Sequence, residues 1–193
     1  MSTIKSKKLQ VGIDASASNN FTIYQPAVPD GTLRIGVGNA DSPTEVGRFT
    51  SAGYKPADPV AFSAYSSSDQ TGIASNTATK VIYGTEVYDT HGAFSSSTFT
   101  VPVSGYYMID AAIHIQGPQY QAQLQVYING SRIHYGDISV SNGTNMSVVS
   151  ASTYLLNQND TVEIYGRATV PGTTTFYSNQ DVTWFKGLLI HAI

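Results

Sequence analysis

The sequence contains no cysteine. That excludes disulfides and thiolate metal sites and leaves the redox compartment open. Charge is also scarce: Asp, Glu, Lys and Arg make up 12% of the chain, and the formal net charge is -3. A charge-poor, weakly acidic chain argues against nucleic acid as a main partner. No apolar run is long enough to span a membrane as a helix, so no membrane partner is expected. No apolar stretch of the secretory type follows the positively charged Met1 to Gln10. A helical period is missing as well, because Ala, Leu, Glu and Lys never cluster with a 3.6-residue spacing. What is present is a set of short alternating runs rich in Val, Ile, Thr, Tyr and Phe, separated by Gly, Asn, Asp, Ser and Pro. That pattern predicts an all-β chain. At 193 residues, such a chain buries roughly 70% of its unfolded surface and needs no covalent staples.

Two regions differ in strength. Residues 1–58 carry four short candidate strands, Leu9 to Ile13, Phe21 to Tyr24, Thr32 to Val37 and Glu45 to Thr50. Pro29-Asp30-Gly31 and Gly38-Asn39 supply turns, since Pro presets φ and Gly or Asn accepts φ > 0. This region is poor in large apolar residues and is expected to need a neighbour's surface. Tyr54 to Pro59, with two prolines, reads as a linker. Residues 59–193 carry longer runs: Val60 to Tyr65, Lys80 to Tyr83, Phe99 to Thr100, Gly105 to Gln116, Gln121 to Ile128, Ser131 to Tyr135, Asn145 to Leu155, Thr161 to Ala168 and Thr183 to Ile190. Asn129-Gly130 between two alternating runs is a strong hairpin signal. Eight to ten strands in this length fit a jelly-roll sandwich.

The last of these runs is apolar on both faces. Trp184, Lys186, Leu188, Ile190 and Ala192 alternate with Phe185, Gly187, Leu189, His191 and Ile193. Successive strand residues point to opposite sides, and an antiparallel sheet usually turns one side to water. One side is therefore expected in the core and the other against a second subunit. The run Tyr106 to Ile115 has an apolar face and a mixed face holding Tyr106, Met108, Asp110, Ala112 and His114. Asp110 and His114 are expected to make polar, pH-sensitive contacts between subunits.

Several segments together resemble one family. Ala61-Phe62-Ser63-Ala64, Phe99-Thr100-Val101-Pro102-Val103-Ser104-Gly105-Tyr106-Tyr107, Val126-Tyr127-Ile128-Asn129-Gly130, Leu155-Leu156-Asn157-Gln158-Asn159-Asp160-Thr161-Val162 and Phe185-Lys186-Gly187-Leu188-Leu189 resemble, in order and spacing, the globular head of complement component 1q. That head shares its jelly roll with tumour necrosis factor. Asn159 stands where the family has Gly, and Ile109 where it has an aromatic. No Gly-X-Y collagen stalk precedes the head, which points away from an animal complement-type protein. The resemblance implies a homotrimer with the closing strand near the subunit contacts, so Trp184, Leu188 and Ile190 join Asp110 and His114 as expected interface residues. Upstream, Asn20 to Pro26, Pro29 to Gly36 and Thr50 to Tyr54 are similar to segments of tailed-phage virion proteins, in which a small β module precedes a trimeric head.

Catalytic chemistry finds little support. An acid, base or nucleophile must sit within reach of a partner. Asp89 and His91 fall in a stretch that reads as loop, and His134 and Asp137 flank Tyr135-Gly136, which reads as a turn. No nucleophile elbow, HExxH or P-loop occurs. No spaced carboxylate motif suggests calcium. The expectation is a non-enzymatic protein with no cofactor and no metal. Its expected role is a phage capsid decoration, or cement, protein on the virion exterior, with itself and the major capsid protein as partners. Lys5, Lys7, Lys8, Arg34 and Arg48 are the expected capsid contacts. The alternative is the receptor-binding tip of a tail fibre, which would add a host-surface glycan as partner; the roughly 58 residues before the head, with no repetitive shaft, favour decoration.

Overall fold

The computed structural model describes residues 8–56, 59–117, 120–140 and 145–193. The chain divides into two compact units, Met1–Pro59 and Val60–Ile193.

The first unit is a five-stranded antiparallel meander. Its strands are β1 (Lys8–Val11), β2 (Phe21–Tyr24), β3 (Leu33–Val37), β4 (Thr44–Thr50) and β5 (Gly53–Pro56), paired in that order. The expected linker is thus in part a strand: β5 pairs with β4 from Gly47↔Pro56 to Thr50↔Gly53. A proline is tolerated there because β5 is an edge and loses no ladder donor on its outer side. The registers place Leu9, Ile23 and Ile35 in one cross-strand row, Val11, Phe21 and Val37 in a second, and Leu33, Phe49 and Tyr54 in a third. Opposite residues in a ladder share a face, so all nine lie on one side of the sheet. The other side carries Lys8, Tyr24, Arg34, Arg48 and Lys55 in a single row, with Gln10, Thr22, Gly36 and Glu45 beside it.

The second unit is a sandwich of two antiparallel sheets. The first sheet orders β7 (Gln70–Ala74), β17 (Thr173–Tyr177), β12 (Gly105–Gln116), β18 (Trp184–Ala192), β6 (Ala61–Tyr65) and β9 (Thr85–Asp89), with β15 (Asn145–Leu156) along the other edge of β12. The second sheet orders β10 (Phe94–Ser95), β11 (Thr98–Thr100), β16 (Thr161–Thr169), β13 (Gln121–Ile128) and β14 (Ser131–Val140), and β8 (Thr79–Lys80) also pairs with β16. Tyr107, Ile109, Ala111, Ile113 and Ile115 of β12 are all buried, as their alternation requires, and face a core that includes Leu124, Val126, Val162 and Ile164. Phe62 is the hub. It stacks on Phe99 at 4.5 Å and Phe94 at 5.1 Å and meets Phe185 edge-on at 4.9 Å. Gly187 faces that ring, and any Cβ there would run into it.

Two loops explain local sequence choices. Asn129 and Gly130 both have positive φ, 51° and 73°, as a two-residue hairpin with the right twist demands. Asn159, where the resembled family has Gly, has φ 72°; Asn tolerates that left-handed conformation better than other side chains. The expected turn at Tyr135-Gly136 is not a turn. β14 runs unbroken from Ser131 to Val140, and three steps on it, Tyr135 to Ile138, match two on β13, Gln125 to Gln123. The extra residue is taken up as a bulge. Gly136 is required there because a Cβ would lie 2.7 Å from the Ser150 Cβ.

Candidate functional site

The two outer faces of the sandwich differ in what they leave bare. On the second sheet the outer face is polar and pairs with itself along β16 and β13, while Tyr135 and Ile138 of β14, opposite Gln125 and Gln123, stand exposed beside it. The Lys80 ammonium donates to Glu163 Oε1 at 2.7 Å and to Thr98 Oγ1 at 2.7 Å. Burial alone would raise the Glu163 carboxyl, but the hydrogen bonds from Lys80 and Thr98 outweigh it and hold the group below its usual range. Gln125 is 1% exposed and donates to Gln123 Oε1 at 3.2 Å. Tyr127 and Tyr165 pack ring on ring at 4.1 Å.

On the first sheet the outer face is mixed, and its large apolar side chains are bare. Its rows follow from the register. Met108 of β12 lies between Thr153 of β15 and Leu188 of β18, and Leu188 lies opposite Ala61 of β6. In the next row Asp110 faces Ala151 and Lys186, Lys186 faces Ser63, and Ser63 faces Tyr88 of β9. Above them Tyr106 lies between Leu155 and His191. Tyr106, Met108, Tyr88, Val149, Leu155, Leu188 and Ile190 are each between 43% and 55% exposed. A hollow of about 150 Å³ opens among Tyr88, Met108, Asp110, Lys186 and Leu188. An apolar stretch of this extent on one side of a sandwich marks an interaction surface.

The few polar groups of the face are tied down inside the protomer. The Trp184 Nε1–H donates to Asp110 Oδ2 at 3.4 Å, and the Lys186 ammonium sits over the Trp184 ring at 5.1 Å. His114 Nδ1 and Ser147 Oγ are hydrogen-bonded at 2.8 Å, and the imidazole packs edge-on against Tyr177 at 5.7 Å. The five expected interface residues therefore share one sheet face. Asp110, Trp184 and Leu188 stand together at its centre, and His114 stands toward the β17 end. Ile190 sits in the irregularity between the Tyr107↔Leu189 and Tyr106↔His191 pairs. Sequence reasoning missed Tyr88, Val149 and Leu155. The signal for the last two was present, since both interrupt the polar half of an alternating run.

The expected capsid contacts fall differently. Lys5 and Lys7 lie outside the described residues. Lys8 begins the row on the polar face of the N-terminal sheet and reaches the Asp41 carbonyl at 3.5 Å. Arg34 donates to Asp30 at 2.6 Å and to Glu45 at 3.1 Å, and Arg48 donates to Glu45 at 2.6 Å. Both guanidinium charges are thus met within the sheet. The Thr32 hydroxyl and Arg34 together lower the Asp30 carboxyl to about 2.

Among the described residues no group of three His, Cys, Asp or Glu is placed to hold a metal ion. Asp89 closes its own loop, accepting from the His91 and Phe94 backbone N–H groups at 3.0 and 2.7 Å. His134 lies on β14 with its ring 6.4 Å from that of Tyr154.

Neither a family model nor a curated protein matches the sequence. Solved structures do match the fold. The globular domain of zebrafish complement 1qA protein is 16% identical, covers 69% of this chain and 99% of its own, and superposes with a TM-score of 0.51. Murine APRIL at pH 8.0 is 12% identical, with 68% and 99% covered and a TM-score of 0.55. Eiger TNF from S. frugiperda is 10% identical, with 70% and 95% covered and a TM-score of 0.58. The fold is a jelly roll of the complement 1q and tumour necrosis factor type.

Proposed function

We propose that the chain is a homotrimeric virion structural protein that decorates the capsid exterior. Assembly is carried by one observation: the outer face of the β15–β12–β18–β6–β9 sheet exposes Met108, Leu188, Ile190, Tyr88 and Leu155, while the opposite outer face is polar and self-paired along β16 and β13 and exposes large apolar side chains on β14 alone, at Tyr135 and Ile138. Three copies that turn the bare faces inward would hide them and leave the polar faces in water. Obligate interfaces of this kind commonly bury about 2,000 Å² or more. The fold likeness is in keeping with such an assembly.

The decoration role rests on the resemblance read in Asn20 to Pro26, Pro29 to Gly36 and Thr50 to Tyr54, and on the compact N-terminal unit in which these segments lie. In this reading the polar face of the N-terminal sheet, led by Lys8, Arg34 and Arg48, meets the major capsid protein, and each trimer bridges neighbouring capsid subunits. Deleting residues 1–56 is expected to leave a trimeric head that no longer co-sediments with capsids. Capsid binding by that truncation would overturn the assignment of the contact to the N-terminal unit. A copy number per particle that matches the capsid lattice supports decoration; a copy number matching a few fibres would overturn it.

A further inference from the structure

The N-terminal sheet buries polar groups and leaves apolar ones bare. On its polar side Thr22 is fully buried with its hydroxyl donating to the Gly38 carbonyl at 3.0 Å, and Asn20 is fully buried with its amide donating to Asp14 and Asn39. Its apolar side has no cover within the unit. Leu9, Val11, Phe21, Ile23, Leu33 and Phe49 are between 37% and 58% exposed. With Tyr54 the side presents on the order of 700 Å², above the largest apolar patch of an ordinary monomer and near the ~800 Å² that each partner contributes to a standard stable interface.

We infer that this face is covered by the same face of the two other copies in the trimer, so that three N-terminal sheets close around a common apolar core. This rests on the trimer reading above. Three features select a second copy as the occupant. The face carries no charged side chain, so its complement is also apolar and uncharged, as another copy of itself is. The area is of the size a stable self-interface needs. And β5 ends at Pro56 while β6 begins at Ala61, so four residues join the sheet to the head, a span of at most about 14 Å. β6 belongs to the head sheet that carries the proposed trimer face. Trimerising heads therefore hold three N-terminal sheets at high effective concentration. Closure would turn the Lys8, Arg34, Arg48 and Lys55 row outward, which is the side that the capsid reading needs.

The chain lacks cysteine, so a single introduced thiol is unique. Full-length Leu33→Cys, on the central strand of the apolar face, is expected to oxidise to a covalent dimer within the trimer. Lys55→Cys, exposed on the opposite face, is expected to stay monomeric on a denaturing gel. If the parent scatters as a trimer but Leu33→Cys does not link, or links no better than Lys55→Cys, this inference is overturned while the trimer stands. If the parent is a single protomer, the reading beneath it fails first. A measurement without substitution covers the case in which a variant misfolds: the intact trimer is expected to leave a hydrophobic dye dark, and strong dye binding that the 1–56 deletion abolishes would show the face bare.

Discussion

The Tyr83 hydroxyl is the clearest internal defect in the head. The side chain is buried, its ring lies 5.6 Å from that of Phe185, and its hydroxyl has no hydrogen-bond partner. Burial pushes the phenol well above its ordinary range. An unsatisfied buried hydroxyl costs about 1–3 kcal/mol. Tyr83→Phe removes the group and keeps the ring, so calorimetry should show the head melting roughly 2–12 °C higher; a lower melting temperature would mean that the hydroxyl has a partner. A second test concerns Asp30, held at about 2 by the Thr32 hydroxyl and by Arg34. The folded value lies below the unfolded one of ~3.9. The stabilisation is therefore complete above about pH 4 and fades as pH falls toward 2. An NMR titration should place the Asp30 midpoint near 2, and Thr32→Ala should move it toward the ordinary carboxylate range.

Strands differ in how far their residues announce them. β12 and β13 have the bounds the alternation predicts, Gly105–Gln116 and Gln121–Ile128, because each carries an unbroken apolar half facing the core. β17 (Thr173–Tyr177) was not expected, although three successive threonines and an aromatic pair favour a strand; the glycine and proline before it read as loop. β7 and β9 are short, and their pairing with β17 and β6 is set by distant partners that no local pattern reveals. The β14 bulge was hidden for the same reason: Gly136 looks like a turn until Val149 and Ser150 of β15 are seen against it. Gly136→Ala should cost about 1–3 kcal/mol by overpacking, visible as an earlier chemical-denaturation midpoint. On the outer face of β18, Leu188→Asp should break the proposed trimer while leaving the protomer folded. A carboxylate there is solvated in the free head and buried without a partner in the assembly. Sedimentation would read the loss, and an unchanged trimer would place the interface elsewhere.

At the scale of the whole molecule, composition already excluded disulfides and argued against nucleic acid, and the alternating runs marked the sandwich. The N-terminal unit was read less well. Its large apolar residues look sparse along the sequence, yet the registers gather nine of them on one side. Sequence spacing alone could not show this, since it depends on how five short strands align. The molecule thus has two bare apolar faces, one on each unit, and a chain so poor in charge has little else to keep it apart from its copies. The central claim is that these faces are hidden by trimerisation. Light scattering of the full-length protein at micromolar concentration tests it most directly: the account predicts one species of three 20.6 kDa protomers, and a stable single protomer of 20.6 kDa would contradict it.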